Sequence, residues 1–375
     1  YNGVIEQVAG GIGNVEHNSI LVRYSNDFSI WDLESVNHYK DQTDIFFTCH
    51  EFSYNKIAEA YEPYLGLIRQ MFHKYCSGTL EEFMEECDVY KLQRPVFESY
   101  FEKGFCERTE QILIDEVEYE QERMHSSIVT MLQKLSEIRP VVIVLNRFQL
   151  ASKSTMQLTN RLLQTKNKNI GIVLGVNDVQ SIPEFAHEEW DAICESMDDR
   201  NMVYHIGNAG RNMEPDVMDY YSDYESDDGY RKLNNLVYFL DFDQADHHLS
   251  KIERRIKFDN FTISEKKHYQ LLLLQIMVSV LQRDIAKALE SCEDLEKLQD
   301  QEKEGAFYYN FWMATSYMYL GKLEEAMIYV QKAKECGEAL GDDFLVFRAE
   351  LLKAQNQMSG WCNIFFCAQD IEISD

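Results

Sequence analysis

Apolar positions follow two rhythms along this chain, and the change between them falls near residue 230. In the first part, short runs that are apolar on both faces alternate with stretches of helical period. The clearest run is 141–145 (VVIVL), set between Pro140 and the polar pair Asn146-Arg147. A central parallel strand, buried on both faces, requires such a run. Residues 44–49 (DIFFTC) and 169–176 (NIGIVLGV) read the same way, and 202–206 predicts a short closing strand. Residues 19–24 alternate instead, which predicts a half-exposed strand paired with 28–31 across Ser25-Asn26-Asp27.

Helices are predicted over 55–75 with an interruption near Pro63, over 80–89, over 109–138, over 154–164 and over 183–197. The second opens with Thr79 and Glu82 in the spacing of a capping box. The third carries Ile112, Val117, Met124, Ile128, Leu132 and Leu135 on one face, with Glu116, Glu118, Glu120 and Glu122 as its solvated side and a lone His125. Two buried runs joined by the helix 154–164 make a βαβ unit with a right-handed crossover.

From about 231 onward the pattern is helical throughout, and it repeats. Phe242-x-x-Ala245-x-x-x-Leu249-x-x-Ile252 recurs as Ile285-x-x-Ala288-x-x-x-Cys292-x-x-Leu295 and as Leu323-x-x-Ala326-x-x-x-Val330-x-x-Ala333. A small residue at a fixed position lets antiparallel helices approach closely, and the flanking apolar residues stack on the next pair. Ala245, Ala288, Ala314, Tyr317, Gly321, Ala326 and Ala333 are the candidate packing positions. Tyr308, Tyr309 and Trp312 are candidates either for a partner-binding surface or for the core between helices.

Four segments follow: a β-rich start over 1–35, an α/β region over 36–207, an acidic tyrosine-rich linker over 208–230, and helical repeats over 231–375. Composition changes this picture little. Apolar residues make up 45% and charged residues 27%, and only five prolines and 17 glycines interrupt the helical patterns. The net charge of −28 repels phosphate backbones and anionic lipid, which argues against nucleic-acid and membrane-surface binding. No stretch is long and apolar enough to span a bilayer, and nine cysteines without a CxxC pair fit a reducing cytoplasm. Because the chain begins with Tyr1 and stops inside a helical pattern, it reads as an excerpt of a longer protein.

Candidate chemistry is sparse. Gly10, Gly11, Gly13 and Asn14 offer glycines of the kind that wrap phosphate, but Asn14 and Val15 stand where a phosphate-binding loop needs Lys and Ser/Thr. A plain glycine turn between strands is the competing reading. Asn146 and Arg147 end one buried strand and Asn177-Asp178 another, where open α/β sheets place contacts to ligand. His247-His248 beside Asp241, Asp243 and Asp246 suggests a metal, but adjacent helical histidines point apart, and solvated positions between helices are favoured. The acidic linker lacks the Gly and Glu of a calcium loop.

Residues 140–155 (PVVIVLNRFQLASKST) resemble the Walker B segment of signal-transduction ATPases with numerous domains, an AAA-like branch of P-loop proteins. Residues 141–145, Gln149, Ala151, Ser154 and Thr155 match, whereas Asn146, Arg147, Leu150 and Ser152 depart from the pattern. Asp178 or Asn177 resembles that family's sensor residue, and residues 307–339 resemble a tetratricopeptide repeat. The runs EFSYNKIAEAYEPYLGLIRQM, ILIDEVEYEQERM and NRFQLASKSTM are similar to bacterial signalling proteins in which such a region precedes a GGDEF diguanylate cyclase domain. The resemblance implies a P-loop-NTPase-like α/β domain of degenerate chemistry followed by an all-α, tetratricopeptide-like domain. It also implies an output domain beyond Asp375. The expected role is regulatory, through a protein partner on the repeats and without a cofactor. The alternative is a working ATP- and Mg²⁺-dependent switch that uses Gly10 to Asn14, Asn146 and Arg147, with water positioned by Asp178 or by a glutamate of 115–122.

Overall fold

The computed structural model describes residues 2–13, 18–24, 44–53, 56–106, 117–165, 167–177, 182–198, 203–206, 226–258 and 262–372. Its first element is a helix, α1 (Asn2–Gly11), not the strand or glycine turn expected there. Strand β1 (Ser19–Tyr24) follows, then β2 (Phe46–Glu51), β3 (Val141–Asn146), β4 (Ile170–Asn177) and β5 (Val203–Ile206). All neighbouring pairs run parallel, in the order β2-β3-β4-β1-β5. Strands β3 and β4 lie side by side, with Val141 opposite Ile170 and Leu145 opposite Leu174.

β1 corrects the sequence reading. It sits between β4 and β5, and Ile20, Leu21, Val22 and Tyr24 are all buried. A position inside a parallel sheet covers both faces, so the apparent alternation of 19–24 did not mark an exposed side. The expected partner strand 28–31 lies outside the described residues. One face of the sheet gathers Ile20, Val22, Val142, Val144 and Val173 around Val8 of α1. The opposite parity (Leu21, Ile143, Ile172 and Leu174) is buried as well. Helix α1 comes so close to β4 that a Cβ on Gly171 would meet Val8 Cγ1 at 2.7 Å.

Around the sheet stand α2 (Tyr64–Tyr75), α3 (Leu80–Glu86), α4 (Arg94–Lys103), α5 (Val117–Ile138), α6 (Lys153–Gln164) and α7 (His187–Asp198). Only the part of the expected 55–75 helix that follows Pro63 is helical. The capping box of α3 is complete: Glu82 N–H donates to Thr79 Oγ1 at 3.2 Å, and Thr79 N–H donates to Glu82 at 2.8 Å. Helix α4, which starts with Pro95 in its first turn and ends at Gly104 with φ of 81°, was not anticipated. Its apolar face is short, Val96, Phe97 and Phe101, and six of its ten residues are polar or proline.

The chain divides into two compact units, 1–244 and 245–375. The division falls later than the 208–230 linker, so helix α8 (Asp227–Tyr238) belongs to the first unit. The next helix, α9 (Phe242–Phe258), crosses the division. The second unit continues with α10 (Glu265–Leu281), α11 (Ile285–Glu296), α12 (Gly305–Tyr319), α13 (Leu323–Leu340) and α14 (Asp343–Glu372). Consecutive helices from α10 to α14 pack together, and α12 also touches α10 and α14. Stacking of alternate helices is how a helical repeat array extends its core.

One turn recurs throughout this helical region. Before α9, α11, α13 and α14 stand Leu240, Arg283, Gly321 and Gly341, each with φ between 65° and 71°. The next N–H then bonds back five residues: Asp241 to Leu236, Asp284 to Ser279, Lys322 to Tyr317 and Asp342 to Gly337, at 2.8 to 3.1 Å. This is the Schellman closure, which pairs carbonyls left open at a helix end. In three of the four cases an aspartate then caps the next helix, as when Asp342 Oδ1 accepts from the N–H groups of Phe344 and Leu345. Ala245, Ala288 and Ala326 each stand fourth in their helices and are fully buried, as are Ala314 and Ala333. Tyr317 stacks on Tyr329 with ring centroids 5.5 Å apart.

Candidate functional site

Strand order locates the part of the α/β unit suited to a ligand. The chain leaves β1 for the far edge of the sheet, at β2, while it leaves β4 in the other direction, past β1 to β5. Right-handed crossovers put connections of opposite direction on opposite faces. Open α/β sheets take ligands beyond the carboxyl ends of two such strands, here β1 and β4, where Tyr24 and Asn177 lie in register. The adjoining segments 25–43 and 178–181, the second containing Asp178, lie outside the described residues.

The side chains at this edge bond to one another. Tyr24 Oη donates to Asn146 Oδ1 at 2.9 Å, and Asn177 N–H donates to Gln149 Oε1 at 3.2 Å. Asn146 and Gln149 are fully buried, and Asn177 nearly so. After Asn146 the chain turns through Arg147, whose φ is 54°, into a short 3₁₀ turn and then into α6. The Arg147 guanidinium lies 3.4 Å from Glu51 at the end of β2.

The amino end of α6 is engaged in the same way. Ser152 Oγ donates to Glu59 O at 2.9 Å, Thr155 Oγ1 donates to Glu62 O at 3.1 Å, and Tyr61 N–H donates to Ser154 Oγ at 3.2 Å. The Ser154 N–H itself donates to the buried carboxylate of Asp241 at 2.9 Å. A helix amino terminus attracts anions, and here a carboxylate of the chain itself takes that place. Burial raises the Asp241 pKa, against the opposing effect of the hydrogen bonds from Ser154 and Gln244. Beside it, Lys153 Nζ bonds Asp243 at 2.6 Å. Ser154 and Thr155, which match the ATPase motif in sequence, thus hold the 59–62 turn in place.

Titratable groups gather on that turn. Burial pushes the Glu59 carboxyl up to about 7, helped by neighbouring Glu62 and opposed by the hydrogen bond from Asn235 Nδ2 at 3.0 Å. Glu62 is raised too, again by burial. His50 Nε2 lies 3.5 Å from Glu62 Oε1, yet burial, with Lys56 nearby, lowers the imidazole to about 4. At that separation the pair is too long for a good hydrogen bond, so burial decides and His50 is neutral. Chemically, the cluster can store a proton near neutral pH.

The glycines of the nucleotide-binding candidates do not come together with Asn146 and Arg147. Gly10 and Gly11 end α1, and Gly13 donates from its N–H to Lys168 O at 2.7 Å, just before β4 begins. They therefore stand at the amino edge of the sheet, while Asn146 and Arg147 stand at its carboxyl edge. Strands of six residues separate the two edges by about 20 Å. A phosphate-wrapping loop also needs glycines ahead of a helix amino end, whereas Gly10 and Gly11 close a helix. Asn14 lies outside the described residues. The donors at Asn146 do not fit Mg²⁺, which takes carboxylate and phosphate oxygens. The amide oxygen already accepts from Tyr24, and the nearby carboxylates of Glu51 and Glu62 face Arg147 and His50.

Further candidates also move. No group of three or more His, Cys, Asp or Glu suited to a metal occurs among the described residues. His248 is buried, not solvated, and burial lowers its pKa to about 3, while Asp246 pairs with Lys287. Tyr308 and Trp312 are buried, which places them in the core of the second unit and not on a partner surface. Sequence reasoning missed Glu59, Glu62 and Tyr24, and read Asp241 as part of a candidate metal group instead of as the cap of α6. Of these, only the pairing of Glu59 and Glu62 three residues apart was visible along the chain. No helix among the described residues is long and apolar enough to cross a membrane. Comparison with protein-family models, with curated proteins and with solved structures gives no match.

Proposed function

We propose that this chain is the regulatory region of a bacterial signalling protein and acts through protein interaction, not catalysis. In this reading the first unit is a P-loop-like scaffold that has given up nucleotide chemistry, and the second is a tetratricopeptide-like array that holds a partner. The similarity of residues 51–71, 112–124, 146–156 and 171–178 to bacterial signalling proteins that carry a GGDEF domain supports an output domain of that class in the same polypeptide.

The observation that carries the proposal is the carboxyl edge of the sheet. Where such a scaffold would place magnesium and phosphate, Tyr24 is bonded to Asn146, Asn177 to Gln149, and Asp241 to the start of α6. The charged groups described at this edge, Lys153, Glu51 and Asp241, are engaged with Asp243, Arg147 and Ser154, and a group so engaged is not set to stabilise the charge that develops in phosphoryl transfer. Isothermal titration with ATP and Mg²⁺, together with a phosphate-release assay, tests this. The expected result is no turnover and no tight binding. Saturable binding with hydrolysis would establish the ATP-driven switch instead.

A further inference from the structure

Helix α14 carries two apolar faces. Leu345, Ala349 and Leu352 are buried, and the helix packs against α13 and α12. A second stripe is left uncovered: Phe347 is 61% and Met358 69% exposed, Phe344 and Ala354 are exposed too, and Leu351 between them is half-buried. These five positions alternate steps of three and four residues. The same spacing continues in the sequence at Trp361, Phe365 and Ala368, still within the helix. Eight apolar residues thus keep a strict seven-residue repeat, a mean spacing of 3.5 and not the 3.6 of a single straight helix. A stripe of that period is the seam along which two helices coil.

Length and charge select the helix that covers it. Helices α10 to α13 have 12 to 18 residues, so none is longer than about 27 Å. The stripe from Phe344 to Ala368 runs about 36 Å within the 30 residues of α14. A further helix of the array's own lengths would leave one end open, whereas another α14 matches it residue for residue. From Phe344 to Gln369 the helix has Arg348 and Lys353 against Glu350, a net of +1 in a chain of −28. Two copies can therefore meet here without the repulsion that the rest of the surface imposes. Flanking the stripe are Asp343, Glu350 and Gln357 on one side and Arg348 and Gln355 on the other. Parallel, in-register pairing sets Asp343 beside Arg348 of the second copy and Glu350 beside its Gln355, with no like charges opposed. Within one chain Arg348 already lies over the Phe311 ring and Glu350 pairs with Lys334, so the flanks supply register and the apolar stripe supplies affinity.

We propose that α14 pairs with α14 of a second copy of this chain, as a parallel, in-register coiled coil along Phe344, Phe347, Leu351, Ala354 and Met358. The pairing is independent of the regulatory reading and of the sheet's carboxyl edge. Sedimentation velocity of the whole chain, of Phe347→Glu and of Phe347→Lys is the experiment. In register, Phe347 of one helix meets Phe347 of the other, so either variant alone opposes like charges. The wild-type chain is expected to sediment as a dimer, and each variant to dimerise about tenfold more weakly or worse. An equimolar mixture of the two variants should recover the dimer, because Glu then faces Lys. The substituted side chain is exposed, and circular dichroism checks that the fold is kept. A monomeric wild-type chain would overturn the proposal and leave the stripe to another helix of the same polypeptide. A dimer that both variants leave intact would place the contact elsewhere, and a mixture that stays monomeric would rule out parallel, in-register pairing; either result overturns it.

Discussion

At the scale of single residues, burial governs the chemistry. Glu59 reads from sequence as an ordinary surface glutamate, yet in the fold its carboxyl titrates at about 7. Its pKa is higher folded than unfolded, so its contribution to stability is fully present below about 4.5 and is lost as pH rises through 7. Glu59→Gln should therefore be more stable to urea than wild type at pH 8, by about 1–2 kcal/mol after allowance for partial exposure, and the two should converge near pH 4, below the unfolded pKa. A constant difference across that range would show that Glu59 keeps its charge. Tyr24→Phe removes the donor to the fully buried Asn146 amide and should lower stability by about 1–3 kcal/mol, read from the same urea curves. An unchanged midpoint would mean that Asn146 finds another donor.

At the scale of elements, close approach and chain reversal set the constraints. Helix α1 rests on β4 at Gly171, and a methyl group there would press on Val8, on Asn18 O and on Val142. Gly171→Ala should cost about 1–3 kcal/mol, and Val8→Ala in the same chain should recover part of it. Failure of the double variant to recover would place the strain in the sheet itself. In the second unit the recurring Schellman turn needs φ near 70°, a conformation that glycine adopts without penalty. Gly321→Ala should lower the melting temperature, by about 1 kcal/mol of stability, although a Cβ there meets nothing within 4 Å. A neutral outcome would show that the turn can shift.

At the scale of the whole molecule, 64 acidic against 36 basic residues make self-repulsion a general opponent of folding. Raising salt from low ionic strength to about 0.3 M screens that repulsion and should raise the melting temperature. Surface ion pairs such as Lys334–Glu350 and Lys257–Glu290 are weakened by the same salt, so a fall in melting temperature would show that they outweigh the net charge.

The apolar patterns were enough for the parallel strands 141–145 and 169–176, for the capping box at Thr79, and for the helical character of the chain after 230. Each depends on neighbours in sequence, on a run, a spacing or a cap, and local physics fixes such features. Helix α4 was missed because its apolar face is only three residues wide. β1 was misjudged because alternation along a strand cannot tell which neighbours will cover it.

Only the tertiary structure decided which residues share a site. Gly13 and Asn146 both looked suited to a nucleotide along the chain, yet parallel strands hold them at opposite edges of one sheet. Glu59, Ser152 and Asp241, far apart in sequence, meet at the amino end of α6. Sequence specifies the runs, caps and small residues, because these act within a few residues of one another. Strand order and burial bring distant groups together and set their charges, because proximity in the sheet and removal from water exist only once the chain has folded.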